Sequence, residues 1–336
     1  MKKKALLVCS QIPYPCVNGG IERLIAGYES QIFSDFDVYL LYYRPGRPIQ
    51  VFHYGRPLAT EPSPEYLMAQ DFAFVLLFNY DTDFQHDNFI RPLLGRFPCF
   101  QFLQIHPMPG MDDRHFRGTI AQSSAAPDKN VFVPGGFYDS TVFFKKDSRS
   151  DDLIVCVARI HEDKNQIELV RQYKERIYNK YGLPLVLAGG AGLRDEEDLY
   201  FHEVMRYVDG VAVISNADVL DPLAPRNWLG ADDVASLFHR ARVAVMPSPK
   251  ESFCVALLEA LACGATCVVN GTYSAFNSED LSSRVFGSVS GKQGDILEWI
   301  DLLLQKNVRI DSSAWVTRFS LAEIKPRLLQ FVQERC

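Results

Sequence analysis

Glu251-Ser252-Phe253-Cys254-Val255-Ala256-Leu257-Leu258-Glu259 lies in the last third of the chain. Two carboxylates stand eight residues apart and flank an apolar run. The run follows Val243-Ala244-Val245-Met246, a continuous apolar segment that ends at Pro247-Ser248 and reads as a buried strand. Glu251 therefore falls in the loop at the carboxyl end of a strand, where open α/β sheets bind their ligands. Glu259 falls about two turns into the helix that follows. The helix N-terminus between them presents backbone N–H groups suited to phosphate.

The same alternation runs outward in both directions. Leu6–Ser10, Val38–Tyr43, Phe74–Phe78, Phe100–Ile105 and Asn130–Val133 read as strands, and Gly20–Phe33 reads as a helix. After Pro134-Gly135-Gly136 the chain turns polar, and Lys145–Asp152 is the best domain boundary. A second series follows. Its strands are Leu153–Val157, Leu185–Ala188, Val211–Ile214, Val243–Met246 and Thr266–Val269. Its helices are Gln166–Tyr181, Glu197–Val208, Asp232–His239, Phe253–Cys263 and Asp295–Gln305. Apolar strands alternating with amphipathic helices imply parallel sheets covered on both faces. The expectation is an α/β protein of two doubly wound domains, 1–146 and 151–315, facing across a cleft that holds the ligand. The closing helix, about 316–336, is amphipathic and is expected to cross back onto the first domain through Leu328, Leu329 and Phe331.

The totals exclude several classes. A chain of 336 residues carries two domains by default. A net charge of −6 without a basic stripe argues against nucleic acid as a partner. The opening Met1-Lys2-Lys3-Lys4 precedes an apolar run too short for a signal peptide, which meets Gln11, Pro13 and Pro15. No apolar segment approaches the roughly 18 residues that span a bilayer. The chain is expected in the cytoplasm, with Lys2–Lys4, Arg44 and Arg47 the groups available for weak contact with the inner membrane face. Eight cysteines without a CxxC pair read as reduced core residues and not as metal ligands.

Three further constellations bear on chemistry. Gly19-Gly20 opens the first helix, where bare backbone can approach an anion; a plain flexible turn carries equal weight. No G-x-G-x-x-G is present, so a dehydrogenase is poorly supported. Arg159 and Lys164, at the carboxyl edge of the second domain's first strand, can clamp a diphosphate. Their bland reading is two solvated charges paired with Glu162 and Asp163. Asp81-Thr82-Asp83 mimics a DxD metal motif but reads as a polar turn.

Pro247–Gly264, with its two glutamates, resembles the E-x7-E signature of retaining GT-B glycosyltransferases of the family-four type. Ala158-Arg159-Ile160 with Lys164-Asn165 is similar to that family's diphosphate clamp, with Ala158 where a Gly is usual. Gly19-Gly20-Ile21-Glu22, Ala188-Gly189-Gly190 and Ala231-Asp232-Asp233-Val234 resemble its other landmarks. The likeness is strong over about 152–275 and weaker over the first domain. Its flavour is that of bacterial or cyanobacterial exopolysaccharide synthesis.

The resemblance implies the following roles. Arg159 and Lys164 neutralise the donor diphosphate, Glu251 holds sugar hydroxyls, and Glu259 accepts from both ribose hydroxyls. Ser252 and the backbone of Phe253, Cys254 and Val255 meet sugar and phosphates, with Gly19 and Gly20 on the other side. Ile214, Trp228 and Leu229 line the base, across an apparent insertion at Asn216–Arg226. His106 approaches the donor sugar; read without the family it is more often structural. No cofactor and no metal are implied; a UDP-sugar, with glucose the best guess, is the co-substrate. A hexose would pass with retention to a saccharide or lipid-linked acceptor. The rivals are a non-catalytic nucleotide-sugar-binding partner protein of the same fold and a sugar-nucleotide epimerase.

Overall fold

A computed structural model describes residues 2–10, 20–43, 48–78, 88–103, 114–121, 132–190, 195–208, 212–214, 229–289 and 294–336. The chain divides into two compact units, Met1–Phe137 with Leu321–Cys336, and Tyr138–Ser320.

Alternating apolar runs become the strands of the first unit. These are β1 (Lys4–Cys9), β2 (Asp37–Tyr42), β3 (Gln50–His53), β4 (Arg56–Thr60), β5 (Phe72–Phe78), β6 (Cys99–Leu103), β7 (Phe116–Ala121) and β8 (Phe132–Pro134). Among the described residues they form one sheet in the order β4-β3-β2-β1-β5-β6-β7-β8. The expected purely parallel sheet needs correction here. The β2–β3 and β3–β4 pairs are antiparallel, and in the second of them Tyr54-Gly55 closes a tight hairpin with both residues at positive φ. The helix Leu321–Gln333 buries Ile324, Leu328, Phe331 and Val332 against the first unit's aromatic core, where Phe331 packs 5.9 Å from Phe100.

The second unit orders its main sheet as β11-β10-β9-β12-β14-β16, all parallel. Its strands are β9 (Leu153–Val157), β10 (Leu185–Ala188), β11 (Ala212–Ile214), β12 (Ala241–Met246), β14 (Cys267–Asn270) and β16 (Phe286–Ser288). β9, β10, β12 and β14 are buried almost throughout, as expected of a sheet with both faces covered. The expected helix over Gln166–Tyr181 is instead interrupted: Gln166–Val170 is α-helical, and Lys174–Tyr178 widens into a π-turn.

The boundary also differs from expectation. The division falls at Phe137–Tyr138, so the charged stretch Lys145–Asp152 is part of the second unit, and the returning segment begins at Leu321. Tyr138 and Phe143 are buried in the second unit's core. Arg149 donates to the carbonyls of Cys263, Phe238 and Ala241. Asp151 accepts from Nη1 and Nη2 of Arg309, Asp152 from Nε and Nη2 of Arg240, and Lys145 lies 2.6 Å from Asp311. A run that reads as a solvated linker is thus a strap fastened by its own charges.

The strap gives an acid response. At Asp311 burial opposes ionisation, but Lys145 and the Ser313 amide outweigh it and hold the carboxyl at about 2. Asp152 is lowered by Arg240, and Asp151 by Arg309 against burial. A depressed folded pKa contributes stability above the unfolded value near 3.9, and that stability is lost as pH falls through the folded value. Each exposed pair is worth only about 0.2–1 kcal/mol. The melting temperature should therefore drop between about pH 4 and pH 2, with a shallower slope in Asp311→Asn. An identical slope in that variant would remove the strap from the acid transition.

Candidate active site

The two motif segments meet at the carboxyl edge of the second unit's sheet. β9 ends at Val157, and its exit is pinned to that of β10: Ala158 N–H donates to Ala188 O at 3.1 Å, and Ile160 N–H to Gly190 O at 2.9 Å. A Cβ on Gly189 would stand 1.9 Å from Ala158 O, so only glycine lets these two backbones come so close. The loop then makes a single 3₁₀ turn over Glu162–Lys164, capped by His161 Nδ1 accepting from Asp163 N–H. Asn165 takes left-handed φ and opens the helix Gln166–Val170.

Gln166, 1 % exposed, fastens the loop from below. Its amide donates to Arg159 O at 2.8 Å and accepts from His161 N–H at 3.4 Å. Sequence reasoning missed it, because nothing in a glutamine at a helix start says that its side chain turns back under the preceding loop.

Glu251 arrives from β12 through Pro247-Ser248-Pro249. It is not in a free loop, as expected; it lies in a two-residue strand, β13 (Lys250–Glu251), paired with β15 (Thr272–Tyr273). Ser274 and Ala275 N–H groups extend the support by donating to Glu251 O and Ser252 O. Gly271 permits this, since a Cβ there would meet Ser248 O at 2.2 Å. Buried Tyr273 donates to Met246 O at 3.5 Å. This second support was also missed; the small residue and aromatic at Gly271 and Tyr273 are its only trace in the sequence.

Lys164 Nζ lies 2.6 Å from Glu251 Oε1, with the side chains 25 % and 12 % exposed. Residues 87 apart in sequence therefore share one charge-assisted hydrogen bond. Burial pulls the Lys164 ammonium down, but the Glu251 carboxylate reverses this and holds it above its ordinary value. Arg159, exposed just past the end of β9, is near enough to oppose this rise slightly. The pairing of Lys164 with Glu162 or Asp163 considered from the sequence does not form; Asp163 sits 3.3 Å from His161 instead.

Phe253 is buried and stacks at 5.5 Å on Phe276, which anchors the turn into the helix Val255–Ala262. Ser252 and Val255 are half-buried, and Cys254 caps the helix in left-handed conformation. Burial, then the Glu251 carboxylate, push the Cys254 thiol well up, so it is no nucleophile at neutral pH. Glu259 is the fifth residue of that eight-residue helix, a little over one turn from its start, and is 3 % exposed.

The remaining expected site residues are less informative. Gly20 begins the first helix, Ile214 ends β11, and half-buried Leu229 packs on the second unit's core. Gly19, His106, Trp228, the Asp81/Asp83 pair, Arg44, Arg47 and the 216–226 segment lie outside the described residues. Lys2 donates to Ser34 O and Lys4 to Gln70 Oε1, both within the first unit. Among the described residues no group of three His, Cys, Asp or Glu side chains could hold a metal, and no helix is long and apolar enough to cross a membrane.

Two doubly wound units, the second with a cation–carboxylate pair at the sheet's carboxyl edge, define the class: this is the GT-B fold. Residues 151–280 match the family described as glycosyl transferases group 1. No curated protein matches in sequence. Among solved structures, sucrose-phosphate synthase from Thermosynechococcus elongatus is similar with a TM-score of 0.66 at 13% identity, covering 99% of both chains. HepE from Anabaena, solved in complex with UDP, gives 0.66 at 14% identity, covering 99% of this chain and 100% of that one. A glycosyltransferase from Rickettsia africae gives 0.65 at 10% identity, covering 99% and 98%.

Proposed function

We propose that this protein is a retaining glycosyltransferase that moves a hexose, glucose as the first choice, from a UDP-sugar to a saccharide or lipid-linked acceptor. The observation that carries the reading is the 2.6 Å pair between Lys164 and Glu251, which brings the clamp loop and the E-x7-E segment to one place. The diphosphate takes Lys164 and Arg159 as counter-ions, and these matter most as charge grows on the departing phosphate oxygen. Released from Lys164, Glu251 accepts from sugar hydroxyls and orients the ring. Glu259 takes the ribose, so the two glutamates serve different parts of one donor. The UDP of the HepE complex supports a uridine nucleotide as the first to test.

This reading assigns the leaving group's charge to Lys164 and Arg159, and so expects no metal. Donor turnover with UDP-glucose, followed by NMR of the anomeric proton, should persist in EDTA and give the α-product from an α-donor. A strict metal requirement or an inverted product would sink the mechanism. Glu259→Ala should weaken UDP binding by about 1.5–3 kcal/mol, the range for hydrogen bonds to a charged group. Calorimetry giving equal affinity for both proteins would remove Glu259 from the nucleotide.

A further inference from the structure

An open cavity of about 420 Å³ lies in the first unit, between the end of the helix Ile90–Arg96 and the amino-terminal ends of β6 and β7. In a parallel sheet this is the edge opposite the one where nucleotides bind. The cavity is therefore no part of a donor site at the strands' carboxyl ends. Its lining includes Arg96, Arg114, His115 and Arg117, all exposed, and among the described residues it has no acidic member. Buried Phe97 and Phe116 form an apolar floor.

The backbone presents one of these cations deliberately. Between β6 and β7 the register jumps from Cys99↔Phe116 to Phe100↔Gly118, which leaves Arg117 as the extra residue of a bulge. Bulges re-aim a side chain and recur next to functional sites. Three guanidinium groups around one cavity suit a multivalent anion. Arginine suits this task because its planar fork binds phosphate oxygens two at a time. The cavity volume falls in the range of small-ligand pockets.

We infer that this cavity is a second ligand site, for a phosphate ester or diphosphate. The shared chemistry is the phosphate group, whether carried by a soluble molecule or by a lipid headgroup. The negative end of the short helix Ile90–Arg96 also faces this region, and Arg96 in its last turn offsets it.

The test is calorimetric titration of inorganic pyrophosphate into the full-length protein, Arg96→Ala/Arg117→Ala and Arg159→Ala/Lys164→Ala. One binding component should be weakened at least tenfold in the Arg96/Arg117 variant and kept in the Arg159/Lys164 variant. UDP binding should be the same in the wild type and the Arg96/Arg117 variant, which reports separately on the donor site. Sedimentation with phosphatidylglycerol or phosphatidylcholine vesicles distinguishes the sources. Binding to the anionic vesicles that fails in Arg96→Ala/Arg117→Ala identifies a headgroup; pyrophosphate binding without vesicle binding identifies a soluble phosphate. The inference is overturned if that variant keeps the pyrophosphate affinity and stoichiometry of the wild type and binds vesicles equally.

Discussion

Lys164→Ala should slow donor turnover about 10²–10³-fold, the loss typical of removing one preorganised group from a developing oxyanion. The effect is expected to be large because Lys164 is three-quarters buried and its partner Glu251 more so. Removal also strands the Glu251 carboxylate, which costs about 1–3 kcal/mol when its hydrogen-bonding partner is lost. Lys164→Ala and Glu251→Ala should therefore be non-additive in both stability and turnover, since the two side chains share one bond. Steady-state turnover and urea melts of the two single variants and the double variant measure this. Unchanged turnover in Lys164→Ala would take it out of the clamp. The pH sign is also defined. The folded ammonium is raised above its ordinary value near 10.4, so its contribution is complete below that value and lost as pH rises through the folded one. Assays from neutral to mildly alkaline pH should see no loss from this group.

Gly189→Ala should destabilise the second unit by about 3 kcal/mol, at the upper end for overpacking. The added Cβ meets Ala158 O at 1.9 Å and Ala158 C at 2.7 Å. Both are backbone atoms, held by the bonds from Ala158 N–H to Ala188 O and Ile160 N–H to Gly190 O, so neither can rotate away. The strain must move the segment that carries Arg159, and turnover should fall with stability. In a unit of this size the melting temperature should drop by roughly 6–12 °C. A melt within 2 °C of wild type, with full turnover, would show that the loop accommodates the methyl without cost.

The different fates of these residues show how far a sequence can be read. Strands such as Leu153–Val157 and Leu185–Ala188 appear at their expected bounds, because an apolar run flanked by turn residues is a local signal. The hairpin Gln50–Thr60 did not, since Arg56–Thr60 is an exposed edge strand with little apolar patterning. Lys145–Asp152 looked like a linker because charge suggests solvent; its partners Arg240, Arg309 and Asp311 come from far along the chain. Gln166 and Gly271 shape the site through backbone contacts that no side-chain pattern announces.

The sequence alone determined the α/β class, the strand-then-helix setting of Glu251 and Glu259, and Arg159 and Lys164 as candidate cations. Those properties follow from hydrophobic period and residue chemistry, which are local. Only the tertiary structure decided that Lys164 takes Glu251 in preference to its neighbours Glu162 and Asp163. It also showed that Glu251 rests on a second strand from residues 272–273, and that the charged strap belongs to the second unit. Each of these depends on which strand ends lie side by side in the β9–β12–β14 sheet, an order fixed by the packing of the whole unit and not by any stretch of it.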